Sequence, residues 1–144
     1  MSNTLTIPAE LIPDVRESLF SLMGDAAEEI GRTLMHPDRK LYPEWFEKER
    51  KQLEEVFALL DLIGWPADGE SREFEVDLRR YGWSLKEALD SFLPLIEDEL
   101  KEADANDRYR ASKGKPPRKA EITARLAVFR AFMPLVERRV KEVE

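Results

Sequence analysis

The chain has no cysteine and a single histidine, His36, in its 144 residues. Without cysteine there is no disulfide frame, no thiolate zinc site and no cysteine nucleophile. A Ser-His-acid triad would have to use His36, which stands beside Pro37 in a connection and reads as a solvated loop residue. The Glu-x-x-His pair with which helical bundles hold two metals is missing, because Thr33 stands three residues before His36. Glu49 is the clearest carboxylate near a core seam, and one such residue does not make a dimetal site. No apolar run approaches the roughly 18–20 residues a bilayer crossing needs. The first eight residues, Met-Ser-Asn-Thr-Leu-Thr-Ile-Pro, lack the basic and long apolar regions of a signal peptide. A cytoplasmic protein is therefore expected. No catalytic residue, cofactor or metal site is assigned, and the balance leans away from an enzyme.

Carboxamides are scarce as well: Asn3, Gln52 and Asn106 are the whole set. Beside many Glu, Lys and Arg, that scarcity suits a warm-living source, in which ion-pair networks gain value and labile amides are avoided. A GC-rich genome favouring Arg and Ala codons accounts for part of it equally well.

What is abundant is charge and helical periodicity. Charged residues make up 37% and hydrophobic ones 42%, the balance of a folded globular chain rather than a disordered one. The net charge of −7 conceals two unlike parts. Residues 1–104 hold 12 basic and 25 acidic side chains, whereas residues 105–144 hold 11 basic and 5 acidic. A basic final part beside an acidic body can serve docking within the chain, between copies, or onto an acidic partner.

Leu5-Thr6-Ile7 alternates like a strand but has no neighbour in sequence to pair with, so no sheet is expected. Ile12, Val15, Leu19, Leu22, Ala26, Ile30 and Leu34 then recur at spacings of three and four, which predicts a helix over 9–35. Its phase runs unshifted through Gly24, and Gly24, Ala27 and Gly31 form a small-residue stripe that another helix could approach. Pro43 opens a second helix, 43–63, with Phe46, Leu53, Val56, Phe57, Leu60 and Ile63 inward. On its outer face Glu44–Lys48, Glu47–Lys51 and Lys51–Glu55 are spaced for ion pairs. Gly64 ends it, and Trp65-Pro66-Ala67-Asp68-Gly69 reads as a turn.

The third helix is expected over 72–103, because Phe74, Leu78, Tyr81, Leu85, Leu89, Phe92, Ile96 and Leu100 keep one phase through Gly82. Residues 104–117, polar, basic and closed by Gly114, Pro116 and Pro117, read as a mobile basic loop. The last helix, 118–143, carries the heptad Ile122, Leu126, Phe129, Met133, Val136, Val140 and Val143. Residues 92–102 recur as 132–142, with six identities including the prolines Pro94 and Pro134. A duplicated helix and the convergence of two heptad helices both explain the match. The fold class that follows is all-α, a single 1–144 domain built as a four-helix up-down antiparallel bundle, with helices 3 and 4 kinked at those prolines.

Glu97, Asp98, Glu99, Glu102 and Asp104 crowd the end of helix 3, where they oppose its dipole. The nearest offsetting charges are Arg108, Arg110, Lys113, Lys115, Arg118 and Lys119. The same basic run, with Tyr109 inside it, could grip phosphates, but the acidic body argues against a nucleic acid. Trp83 lies off the core phase, which makes it either a partner contact or a cover for the end of the bundle, packed beside the 64–69 turn. The residues singled out as partner contacts are Trp83, Arg108, Tyr109, Arg110, Lys113 and Lys115. The expected function is a non-catalytic helical interaction or regulatory module binding a protein or a second copy of itself, without a membrane. The alternative is a small-ligand or metal-binding bundle using a cavity opened by the proline kinks.

Overall fold

Pro8 and Asp77 decide where the chain changes from extended to helical. The computed structural model describes residues 3–35 and 43–144. Pro8 is extended and leads into a 3₁₀ turn, Ala9–Leu11, and then α1, Ile12–Met35. Asp77 is also extended, and its carboxylate accepts the backbone N–H of Arg79 at 3.0 Å. That cap starts α3, Leu78–Lys101. Between them lies α2, Pro43–Ile63, and after them α4, Ala103–Ser112, and α5, Lys119–Val143. None of these helices is long and apolar enough to cross a membrane. The chain is mostly helical, and α1, α3 and α5 run unbroken through Gly24, Gly82, Pro94 and Pro134. Gly82 lies so close beneath Val140 that a Cβ there would meet its methyl at 3.1 Å.

The expectation of no sheet is corrected. Strand β1, Thr4–Ile7, pairs antiparallel with β2, Phe74–Asp77, in the register Thr4↔Asp77 to Ile7↔Phe74. Leu5, Ile7 and Val76 point into the core, and Thr4, Thr6, Glu75 and Asp77 face solvent. Leu78 closes the end of the ladder by donating to the Asn3 carbonyl at 2.8 Å. The expected helix start near 72 rested on the four-residue step from Phe74 to Leu78. Phe-Glu-Val-Asp also alternates with period two, and a distant partner strand settles which period wins.

The loop expected at 104–117 is corrected too. Residues 103–112 form α4, which offers the core Ala103 and little else. Alanines and arginines are good helix formers even where nothing apolar needs burying. After Ser112 the helix closes on Gly114, whose φ of +70° lets its N–H reach the Ala111 carbonyl while Lys115 N–H reaches Arg110.

One buried cluster draws on every element. α3 and α5 run antiparallel: Gly82 meets Val140, the rings of Phe92 and Phe129 lie 6.2 Å apart, and Glu97 meets Arg130. Leu85, Leu89, Ile96, Leu126, Phe129 and Val136 are buried as expected, with Phe92 and Met133 half-buried. Phe57, expected inward, is half-exposed and packs edge-on against Trp65. On the outer face of α2, Arg50 pairs with Glu47 and Glu54, a set the expected Lys spacings did not contain.

The start of α1, the end of α2, the end of α3 and the start of α5 meet at one pole. Asp14 and Glu99 both contact Arg125, while Arg16 reaches the Ile63 carbonyl. Simple up-down order would bring the start of the third helix to that pole. Instead the extended segment holding β2 carries the chain to the far end, where α3 begins. An extended residue advances about 3.3 Å against 1.5 Å in a helix, so a short strand can run back along a helix more than twice its residue count.

Phe129→Ala removes the largest fully buried side chain, and is expected to cost about 3–5 kcal/mol in a urea titration. Gly64→Ala is expected to cost at least about 1–2 kcal/mol. Gly64 has a φ of +101°, and a Cβ there would lie 2.7 Å from the Arg16 guanidinium. Loss of less than about 0.5 kcal/mol in the same titration would show that the Arg16 contact yields freely.

Candidate partner-binding surfaces

The basic residues singled out from the sequence converge on α4 and the turn after it. Asp107, on α4, accepts the backbone N–H groups of Arg118 at 2.8 Å and Lys119 at 3.1 Å. It thereby caps the first turn of α5 from a neighbouring helix. Arg110 holds the turn from the other side, donating to the Pro116 carbonyl at 2.8 Å. Lys113 extends over the Tyr109 ring, 5.7 Å from its centre. Tyr109, Arg110, Lys113, Lys115, Arg118 and Ile122 surround an open concavity of about 460 Å³, with Glu99 and Asp107 at its edge. Tyr109 is 65% exposed.

The acidic end of α3 is offset only in part by the residues expected. Glu97 pairs with Arg130 at 3.2 Å and Glu99 with Arg125 at 3.7 Å, both on α5. Asp98 reaches Lys101 within its own helix. Of the basic run, Lys119 takes Asp104 at 2.9 Å and Arg118 takes Glu121 one turn along α5. Arg108, Arg110, Lys113 and Lys115 make no ion pair among the described residues.

Trp83 is placed elsewhere. It lies in the second turn of α3, 59% exposed, with Lys86 over its ring at 5.7 Å. With Pro134, Glu137, Arg138, Val140 and Lys141 it lines an open groove of about 680 Å³ near the end of α5. Because α3 and α5 are antiparallel, this groove and the basic concavity stand at opposite ends of the pair. Trp83 does not cover the 64–69 turn. Trp65 does that itself, through Phe57 and a 2.9 Å hydrogen bond to Asp61. His36 lies outside the described residues.

A second polar cluster was missed by sequence reasoning. Asp14 and Arg16 flank Val15 on the inner face of α1, and both are buried. Arg125 forks onto Asp14 at 2.7 Å and 3.1 Å. Burial pulls the Arg125 guanidinium down, and the hydrogen bonds and charge of Asp14, with Glu99 behind them, hold it above its ordinary value. Two opposite charges bracketing a core valine were the available signal. Among the described residues no three His, Asp or Glu side chains converge as metal ligands, and no buried side-chain polar atom lacks a partner. Comparison with protein-family models, curated proteins and solved structures finds no match to this chain.

Arg125→Met should leave the Asp14 carboxylate buried without its partner, and is expected to cost about 3 kcal/mol. Asp14→Asn in the same background should recover part of that loss, because it removes the buried charge. A double-mutant cycle by urea denaturation checks both, and strict additivity would show that the two residues do not interact.

Proposed function

We propose that this chain is a single-domain, non-catalytic helical interaction module of the cytoplasm, and that its basic pole docks an acidic segment of a partner protein. The observation that carries this is the surplus of charge around the concavity between α4 and α5. Arg110, Lys113 and Lys115 line it without ion pairs of their own, and Arg108 stands exposed beside them on α4, while Glu99 and Asp107 in the same lining are engaged by α5. Tyr109 adds an exposed aromatic anchor of the kind that contributes strongly to interfaces. A positive concavity on a negative body orients an approaching acidic segment before contact, which raises the association rate more than the affinity. The helices behind it, packed as a bundle in which Pro94 and Pro134 bend α3 and α5, serve as the rigid support.

Arg108, Lys113 and Lys115 are outside the packing, so their joint replacement by Gln should move the melting temperature by no more than about 2 °C. A fluorescein-labelled octaglutamate peptide is the probe. Its association with the native chain should weaken several-fold as salt rises from about 50 to about 200 mM. It should weaken about tenfold in the triple variant at the lower salt. Unchanged peptide binding would refute the docking role, and a fall of many degrees in melting temperature would assign these charges to the stability of the pole instead.

A further inference from the structure

The outer half of α1 carries an apolar face that stays exposed among the described residues. Ala26 is the last fully buried residue of α1 and Val56 the first of α2, so the stretches 27–35 and 44–55 bury no side chain completely. The helical phase continues there all the same. Phe20 is 47% exposed, Leu34 53% and Met35 86%. Phe20, Gly24, Ala27, Gly31 and Met35 occupy one side of the helix, opposite the buried side formed by Val15, Leu19, Leu22 and Ala26, and Leu34, expected in the buried phase, stands exposed on its flank. No charged residue interrupts the set. Beyond the helix's own backbone and the adjoining residues, neither Gly24 nor Gly31 has an atom within 4 Å of where a Cβ would stand. Among the described residues nothing asks for glycine at either position, and in a helix interior each is less favourable than alanine.

We infer that this face is the contact between two copies of the chain, with α1 crossing its own mate antiparallel about a two-fold axis. The order of side chains fits that occupant. An isologous contact must be complementary to itself, with residue i meeting j and j meeting i. About an axis between residues 27 and 28, Phe20 faces Met35 of the mate, Gly24 faces Gly31, and Ala27 faces the axis. Large side chains then close both ends and the small ones let the two backbones approach at the centre. Glu28, on the rim near the axis, does not set a bare carboxylate against its twin, because Arg32 holds it at 2.6 Å.

The length also suits a dimer. From residue 20 to residue 35 the helix spans about 23 Å. A helix pair of that length buries on the order of 1,000 Å² in total, near the lower limit of a specific interface. The dimer is therefore expected to be weak, with a dissociation constant on the order of 10 µM.

Sedimentation velocity on the full chain from about 1 to about 300 µM should show a reversible monomer–dimer equilibrium. Gly31→Gln, whose side chain meets open space in the monomer, should raise the dissociation constant about tenfold or more with an unchanged helical spectrum. The cysteine-free background allows a second reading. Ala27→Cys, beside the axis, should form an intermolecular disulfide under mild oxidation, and Ala124→Cys, exposed on α5, should not. A chain that stays monomeric throughout would overturn the inference and leave the face to a different partner. A dimer indifferent to Gly31→Gln, or cross-linking equally through position 124, would overturn it by placing the contact elsewhere. The Gln variant of Arg108, Lys113 and Lys115 should dimerise normally, so the two surfaces succeed or fail separately.

Discussion

The guanidinium of Arg16 fixes the arrangement of the pole from which the rest of the fold extends. It is 3% exposed and donates to the Ile63 carbonyl from two nitrogens, at 2.9 and 2.6 Å, and to the Asp68 carbonyl at 2.9 Å. No carboxylate is among these partners. The charge is met by the carbonyl oxygens at the end of α2, where the helix leaves acceptors unsatisfied and its dipole is negative. A hydrogen bond to a charged group is worth about 1.5–3 kcal/mol, whereas a buried guanidinium without partners costs more than that. The contact therefore tolerates little displacement of α1 along α2. It also constrains the backbone. Gly64 N–H bonds the Leu60 carbonyl with φ positive, and the guanidinium lies where a side chain at that position would go.

Asp14, two residues earlier, carries the constraint across to α5. Residues two apart on a helix point to nearly opposite sides, so Asp14 and Arg16 let the start of α1 grip two neighbours at once. Arg125 answers Asp14 and reaches Glu99, which ties in the end of α3. Once those four helix ends share a pole, the chain leaving α2 must travel to the other end before α3 can begin. Helix would advance too slowly, and extended backbone at the surface needs a partner for its peptide groups. β1 supplies that partner. The two-stranded sheet is thus a consequence of the buried charges at the pole, although neither strand touches them.

That chain of dependence explains which parts of the fold were legible in the sequence. The helices 12–35, 43–63 and 119–143 announce themselves because their signal is local: apolar residues recur every three or four positions. The sheet does not, because Thr4–Ile7 gains its meaning from residues some seventy positions away. α4 escaped for the opposite reason. Its helix rests on propensity, with a single alanine in the core, so a search for apolar periodicity passes over it. Phe57 shows a third limit, since its phase places it at the edge of the buried face, and Trp65 from the next turn decides its environment. Of the surface residues, the cluster of Arg108, Tyr109, Arg110, Lys113 and Lys115 was legible through adjacency in the chain. That Trp83 stands apart from them follows only from the antiparallel run of α3 and α5.

The charge asymmetry of the sequence takes a different meaning in the fold. An acidic body and a basic final part suggest mutual neutralisation, and the acidic end of α3 is indeed neutralised. Arg125 answers Glu99 and Arg130 answers Glu97, both from α5, and Lys119 takes Asp104. The basic residues next in sequence, Arg108, Arg110, Lys113 and Lys115, make no ion pair with it among the described residues, α4 beginning after a break at Glu102. Positive charge is therefore left at this pole without ion pairs among the described residues. Four cations against two carboxylates line the concavity, and the surplus of like charges repels itself. Asp107, pinned to the start of α5, and Arg110, pinned to Pro116, hold that arrangement in place. An anionic surface would relieve that repulsion on binding, which is the physical argument behind the proposed docking role.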